Sequence, residues 1–406
     1  MSVSSTRSPG PTSLGGSPTP VPRRRPTLFL IGSITVTGIL ANTLPNAGIP
    51  DILADFDQPD SAAGLLVAAA SIPGIVVAPL IGLLADRFGR RNVLVPCLVV
   101  FGLCGFLGAV APSYALLVAA RFGQGFGSAG LINLTNVLIG DHWDGIERAR
   151  MFGYNSAVLT VSLAVLPGLG GLLTDLGSWR LAFVPYPLAL LTAWQVMRRL
   201  DKGEVDRSVS VSDQLRAAAE VVRSPAVLAP VALAFATFVF VFGLMLTVLP
   251  IHLEDQYGLS ATARGAVLAI PALGATAGAL LLGRVRQHLS RRWVAAGSFG
   301  LFAVAYPVVG LTGSLVVLLA AAVLYGLGEG LLIPTLTDIV AGAAPERSRG
   351  AVLSVQVSAI RSGQTAGPLI GGVGMGIMAT GSTFVVGGVL AAILCVVTAV
   401  LRPGRR

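Results

Sequence analysis

The sequence predicts an all-α polytopic membrane protein with twelve transmembrane helices in two pseudo-symmetric six-helix bundles. Three observations carry this reading. The 406 residues are 54% hydrophobic and only 12% charged, and mean hydropathy is +0.79; soluble domains hold roughly 45–50% apolar and about 25% charged residues. Twelve stretches reach the ~20 residues needed to cross a hydrocarbon core. Landmark sequences recur in the two halves at a spacing of about 201 residues, the footprint of a duplicated unit.

The elements follow in chain order. Residues 1–25 are rich in Ser, Pro, Thr and Gly and end in Arg23, Arg24 and Arg25. They read as a disordered tail whose basic end stays in the cytoplasm. The apolar run behind it is too long for the core of a cleaved signal. Helices 1 to 12 are expected at 27–49, 61–84, 92–111, 114–138, 149–173, 180–199, 226–250, 261–283, 293–311, 314–338, 350–374 and 380–401. A polar stretch at 200–225 forms a cytoplasmic central loop between an N-terminal bundle (26–199) and a C-terminal bundle (226–402). Within the loop, SVSDQLRAAAEVV suggests a short amphipathic surface helix.

Charge sidedness agrees with this order. Of 28 Lys and Arg, Arg121 and Arg361 fall inside expected helices, and Arg180 and Arg264 fall opposite the N-terminus. The remaining 24 lie in the tails and in loops on the N-terminal side. The opposite loops carry Asp51, Asp55, Asp57, Asp60, Asp175, Glu254 and Asp255. The pattern places both termini in the cytoplasm and the chain in the cell membrane as a multi-pass protein. It also accounts for the net charge of +9 without a nucleic-acid partner. Cys97, Cys104 and Cys395 sit in apolar stretches without metal-ligand spacing and read as small buried hydrophobes.

The repeats are specific. GLLADRFGRR (Gly82–Arg91) after helix 2 answers GRVRQHLSRR (Gly283–Arg292) after helix 8. PGLGG (Pro167–Gly171) in helix 5 answers PLIGG (Pro368–Gly372) in helix 11, and FGQGFG in helix 4 answers YGLGEG in helix 10. With Gly82, Asp86, Arg87, Gly89, Arg90 and Arg91 after helix 2, and Arg121, Gln124 and Gly125 in helix 4, the chain resembles the major facilitator superfamily, and within it the 12-helix drug:proton antiporters. The resemblance covers about 27–402. The antiporter pattern G-x-x-x-G-P-x-x-G-G is incomplete in helix 5, where Ser162 and Leu166 replace two glycines beside Pro167, Gly170 and Gly171. It is complete in helix 11, at Gly363, Gly367, Pro368, Gly371 and Gly372. Gln287 stands where the first half has Asp86, so the halves are not electrostatically equivalent.

The resemblance implies that helices 2 and 11 face each other and that helices 1, 4, 7 and 10 line a central cavity. Asp86 is then expected to latch onto the N-terminus of helix 11 in the outward-facing state, with Arg87, Arg90 and Arg91 anchoring the loop. Three charges are expected within the membrane. Arg121 forms a polar network or assists proton transfer, the alternative being snorkelling to the interface. Glu329 lies near the midplane, where burial favours its protonated form and suits it to carry a proton or to meet a substrate cation, the alternative being a structural ion pair or a neutral hydrogen-bonded glutamic acid. Arg361 lies at similar depth, and an Arg361–Glu329 pair that protonation loosens is the expected coupling device. A permanent structural pair is the competing reading.

Phe235, Phe238, Phe242 and Met245 at helical spacing predict an apolar cavity wall on helix 7. Asn42, Asn133, Asn136 and Tyr325 are candidate polar contacts to substrate. The glycines of helices 4, 5, 10 and 11 predict close helix packing and bending. No phosphate-binding loop, catalytic triad or metal motif occurs, so neither an ATP-driven pump nor an enzyme is expected. The function expected is proton-coupled efflux of drug-like or hydrophobic small molecules by alternating access, from a monomer in the bilayer. The energy source is the proton gradient and no cofactor is needed. A proton-coupled importer of a polar metabolite or sugar, and a non-transporting membrane sensor, are the alternatives.

Overall fold

The computed structural model describes residues 25–201, 225–343 and 349–400. The tail up to residue 24 and the central stretch 202–224, with its expected surface helix, lie outside the described residues. All twelve helical regions are found, and no strand occurs among the described residues. Among the described residues, nine helices are long and apolar enough to cross a membrane. The others are helix 1, helix 6, and helix 11 with its polar middle.

Helices 3, 5, 8, 9, 10, 11 and 12 run unbroken, as Arg90–Ala109, Gly145–Asp175, Ala261–His288, Arg291–Leu311, Leu315–Ala343, Arg349–Ile377 and Thr380–Val400. Five of the expected continuous spans are interrupted, and each break has a local cause. Helix 1 stops after Leu28–Leu40 and resumes as Ile49–Asp55, with Pro45 between. Helix 2 divides into Ala63–Ala69 and Ile72–Phe88, because Pro73 donates no N–H and crowds the carbonyl of residue 69. Helix 4 divides at Ala129 and Gly130 into Tyr114–Ser128 and Leu131–His142. Helix 6 opens as a 3₁₀ turn, Trp179–Phe183, ahead of Leu188–Arg199. Helix 7 passes from Pro225–Phe240 through a π-helical stretch, Val241–Val248, into Leu249–Tyr257, ahead of Pro250. There the Thr247 hydroxyl donates to the carbonyl of Phe242, five residues back, at 2.7 Å.

Each half has an aromatic core. Phe101, Phe183 and Tyr186 fill the first, and Phe299, Phe302, Tyr306, Tyr325 and Phe384 the second. Outward positions such as Leu280, Val316 and Ile377 are exposed Leu, Val and Ile, as expected of a lipid-facing surface.

The halves meet through paired contacts that repeat the sequence spacing. A Cβ at Gly265 in helix 8 would strike the carbonyl of Pro167 in helix 5. Its counterpart at Gly64 in helix 2 would strike the carbonyl of Pro368 in helix 11. Gly171 likewise faces the backbone of Ala261 and Thr262, and Gly372 faces Ser61 and Gly64. All these contacts lie toward the end of the molecule away from the basic loops. That acidic end is closed. At the basic end, the described ion pairs stay within a half: Arg90 with Asp86 and Asp141, and Arg291 and Arg286 with Asp338.

Candidate transport site

The broken helices leave backbone carbonyls without helical partners, and these recruit the buried polar side chains. Arg121, 2% exposed, donates from Nη1 to the carbonyl of Ala41 at 2.7 Å and to Gln124 Oε1 at 2.8 Å. Ala41 is where helix 1 stops. Tyr186 donates at 3.0 Å to the adjacent Leu40 carbonyl, which also accepts from the Leu44 N–H. Arg121 therefore belongs to a buried network, and the snorkelling alternative is excluded by its burial.

Arg361 follows the same rule across the interface. Nη2 donates to the carbonyl of Ala129, at the break of helix 4, at 3.4 Å, and Nη1 to Gln364 Oε1 at 3.1 Å. A Cβ at Gly74 in helix 2 would lie 3.2 Å from Arg361 Cδ, so this glycine provides the seat for the side chain. The guanidinium thus leaves helix 11 and reaches into the first half. The expected Glu329–Arg361 ion pair is absent from this conformation. Arg361 is the thirteenth residue of helix 11 and Glu329 the fifteenth of helix 10, about 18 and 21 Å from their helix starts. They share a level but not a direction: Arg361 turns away, toward helices 2 and 4.

Glu329 is half-buried, and no ion pair to it occurs among the described residues. The Tyr325 hydroxyl, one turn earlier on helix 10, stands beside its carboxyl, and the Tyr306 ring packs on Tyr325 at 5.6 Å. Both hydroxyls are buried without a geometrically formed hydrogen bond. One and two turns further along the same face of helix 10, Ile333, Leu336 and Thr337 line a narrow cleft. Ala234, Thr237 and Phe238 of helix 7 and Gln356 and Ile360 of helix 11 complete its wall. Gln356 donates to the Thr337 hydroxyl at 3.3 Å across the cleft.

The expected cavity residues are therefore redistributed. Phe238 lines the cleft. Phe242 and Met245, 6% and 3% exposed, are buried instead, because the π-helical stretch shifts the helical register they would need. Tyr325 packs against Phe302 at a ring separation of 5.0 Å and is core rather than cavity wall. Asn136 accepts from Asn155, which in turn accepts from Thr35, so helices 4, 5 and 1 share a polar link. Asn42 Oδ1 is buried without a partner, and Asn133 is half-buried. Asn155, Gln356 and Gln364 were not singled out from the sequence. Amides in apolar helices at the level of the charged residues were the available signal.

The loop after helix 2 is built as a turn. Gly89 has φ 87°, a conformation L side chains rarely adopt, and joins helix 2 directly to helix 3. Asp86 bonds Arg90, which also donates to Asp141 at 3.1 Å. Arg87 lies over the Phe88 ring. The expected latch from Asp86 to helix 11 is not among the described contacts, and a Cβ at Gly82 would meet open space.

The acidic end holds an ionic cluster that the sequence reading treated only as topology. Arg264 of helix 8, 2% exposed, bonds Asp51 of the first half and, at 2.7 Å, Glu254 of the second. Asp175 at the end of helix 5 accepts from the backbone N–H groups of Ala261 and Thr262 at 3.1 and 2.8 Å, capping helix 8 across the interface. Arg180, the other basic residue at this end, bonds Asp55 at 2.6 Å. Both exceptions to the charge sidedness are thus paired with acids.

Comparisons with known proteins agree with this architecture. A family model described as Major Facilitator Superfamily matches residues 30–265 and again 231–406. The chain is 26% identical over 270 residues to the bacillibactin exporter of Bacillus subtilis, covering 63% of this chain and 66% of the relative. It is 30% identical over 135 residues to the quinolone resistance protein NorA of Staphylococcus aureus, covering 33% and 34%. The matches thus span under two thirds of the first relative's length and about a third of the second's. A bacterial homologue of the human lysosomal transporter Spinster, crystallised inward-facing and unoccupied, superposes with a TM-score of 0.70. The identity is 19%, over 92% of this chain and 94% of that one.

Proposed function

The chain belongs to the major facilitator superfamily and is a multi-pass secondary transporter, and from that premise we propose that it exports amphipathic, largely apolar small molecules in exchange for protons. The relatives' names, an exporter and a drug-resistance protein, support the direction. The arginine-rich end is assigned to the cytoplasm of a bacterial cell membrane, so the described conformation is closed outside and open inside. The proton gradient is the energy source.

Glu329 carries the reading. A carboxyl at mid-depth, half-buried, beside the Tyr325 hydroxyl and on the face that continues into the cleft, is placed to take up a proton and release it. It has no basic partner among the described residues to hold it permanently ionised. Phe238, Ile333, Leu336 and Ile360 offer the substrate an apolar wall. Rocking of one half against the other about the glycine contacts gives alternating access.

The test uses purified protein in liposomes with a pH gradient, acidic on the face that is extracellular in the cell. Wild type is expected to move an apolar fluorescent probe against its gradient, and Glu329→Gln to lose gradient-driven movement while still binding the probe. Undiminished proton-driven movement by Glu329→Gln overturns the assignment of the proton site.

A further inference from the structure

We propose that the substrate of this site is an amphipathic organic anion, its carboxylate or sulfonate held by Arg361 and its apolar body by the adjoining cleft. The inference rests on reading that cleft as the transport site, and it names the charge of the substrate.

Charge balance at mid-depth is the first argument. Among the described residues, the charged side chains within the membrane interior are Arg121, Glu329 and Arg361, with Arg121 about 10 Å nearer the acidic end than the other two. An arginine does not give up its proton in a protein, whereas a glutamic acid readily becomes neutral away from water. The membrane interior therefore holds two positive charges and at most one negative charge. It never becomes net negative, so it repels an organic cation and attracts an anion in every protonation state. The other described acids lie at the two ends of the molecule, away from this site: Asp86 and Asp141 bond Arg90 at one end, and Asp51 and Glu254 bond Arg264 at the other.

The second argument is the difference between the two arginines. Arg121 is sealed, 2% exposed, and makes two bonds under 3 Å. Arg361 is half-buried, and its bond to Ala129, at 3.4 Å, is long for an N–H donor. Its described acceptors, a carbonyl and an amide oxygen, are both neutral and engage two of five N–H donors. An intramembrane arginine is expensive and pairs with an acid or with backbone carbonyls. Among the described residues Arg361 has no acid, and donors remain available for a forked oxyanion contact.

Position is the third argument. Arg361 follows Ile360, which lines the cleft one turn from Gln356. A ligand with its apolar body against Ile360 and Phe238 brings its anionic group to the guanidinium. The acceptor that such a group displaces, Ala129, belongs to the other half, so binding exchanges an inter-half bond for a ligand bond. This links occupancy to the freedom of the halves to move.

The experiment compares three probes of one shape on purified protein in lipid nanodiscs: 4-(1-pyrenyl)butyrate, the matching butylamine and the matching butanol. Wild type is expected to bind the butyrate at least tenfold more tightly than the alcohol, with the amine weakest. Arg361→Gln should weaken the butyrate on the order of ten- to a hundredfold, the worth of one or two charge-assisted hydrogen bonds, and leave the alcohol unchanged. Arg361→Lys should restore part of the preference. A purely structural arginine would lower all three affinities together. Wild-type preference for the amine or alcohol, or a butyrate preference that survives Arg361→Gln, overturns the proposal, and the wild-type comparison needs no variant to fold. Binding alone decides the anion site. If the butyrate binds through Arg361 but is not moved by a pH gradient, proton-coupled export fails and the anion site stands.

Discussion

At the scale of single residues, the arginines show what sequence reveals and what it leaves open. That Arg121 and Arg361 need partners inside the membrane was legible from their surroundings alone. Which partners they choose was not, because both reach carbonyls exposed by breaks in other helices, and those breaks are set by Pro45 and by Gly130 rather than by anything near the arginines. Arg180 offers a pH test at the acidic end. The Arg180 guanidinium first, and the Trp179 indole N–H second, hold the Asp55 carboxyl below its ordinary value of 3.8. A carboxyl depressed on folding stabilises the fold above its unfolded pKa, and loses that contribution as pH falls through the folded value. The pair is exposed, at 44% for Asp55 and 35% for Arg180, so its worth is under about 1 kcal/mol. Asp55→Asn is therefore expected to lower thermal stability slightly at pH 7, with the deficit shrinking as pH falls below about 4 and vanishing only below the depressed folded-state value. A deficit of equal size at pH 7 and pH 3 would remove the electrostatic explanation.

At the scale of elements, the twelve helices and the duplication were legible because hydropathy and Gly/Pro spacing are local properties. The interruptions were not placed, although Pro45, Pro73, Gly130 and Pro250 stood in the sequence, since membrane helices tolerate such residues when neighbours satisfy the backbone. Duplication proves most informative at the interface. Gly64 and Gly265 are 201 residues apart, as are Pro167 and Pro368, and each glycine meets the other half at the carbonyl of the corresponding proline. Backbone cannot retreat as a flexible side chain can, so a methyl at either position must part the helices. Gly64→Ala and Gly265→Ala are each expected to weaken closure of the acidic end by roughly 1–3 kcal/mol. The readout is faster labelling of a cysteine placed behind the contact, at Ser61 or Thr262. Similar acceleration in both variants supports a symmetric contact; unchanged labelling in both would show that the glycines do not set closure.

At the scale of the whole molecule, the two ends are not symmetric, and the asymmetry predicts opposite effects of two charge removals. At the closed acidic end, Arg264 neutralises Asp51 from one half and Glu254 from the other. Without it the two acids face each other across the interface, a repulsion that opening relieves. At the basic end, Asp86 is bonded by Arg90 within its own half, and its described contacts do not reach the second half. If it latches to the start of helix 11 when that end closes, its removal destabilises only the opposite state. Spin labels at Gly153 in helix 5 and Gly283 in helix 8, both facing open space near the basic end, report this opening as a distance. Arg264→Gln is expected to shift the distribution toward the shorter, inward-closed distance by about 1–3 kcal/mol, or five- to 150-fold in the population ratio. Asp86→Asn should shift it toward the longer one. The residues lie at opposite ends and share no partner, so the double variant should show the sum of the two shifts. An unchanged distribution for Arg264→Gln would mean that glycine packing alone closes the acidic end. A shift toward the shorter distance for Asp86→Asn would place the latch elsewhere.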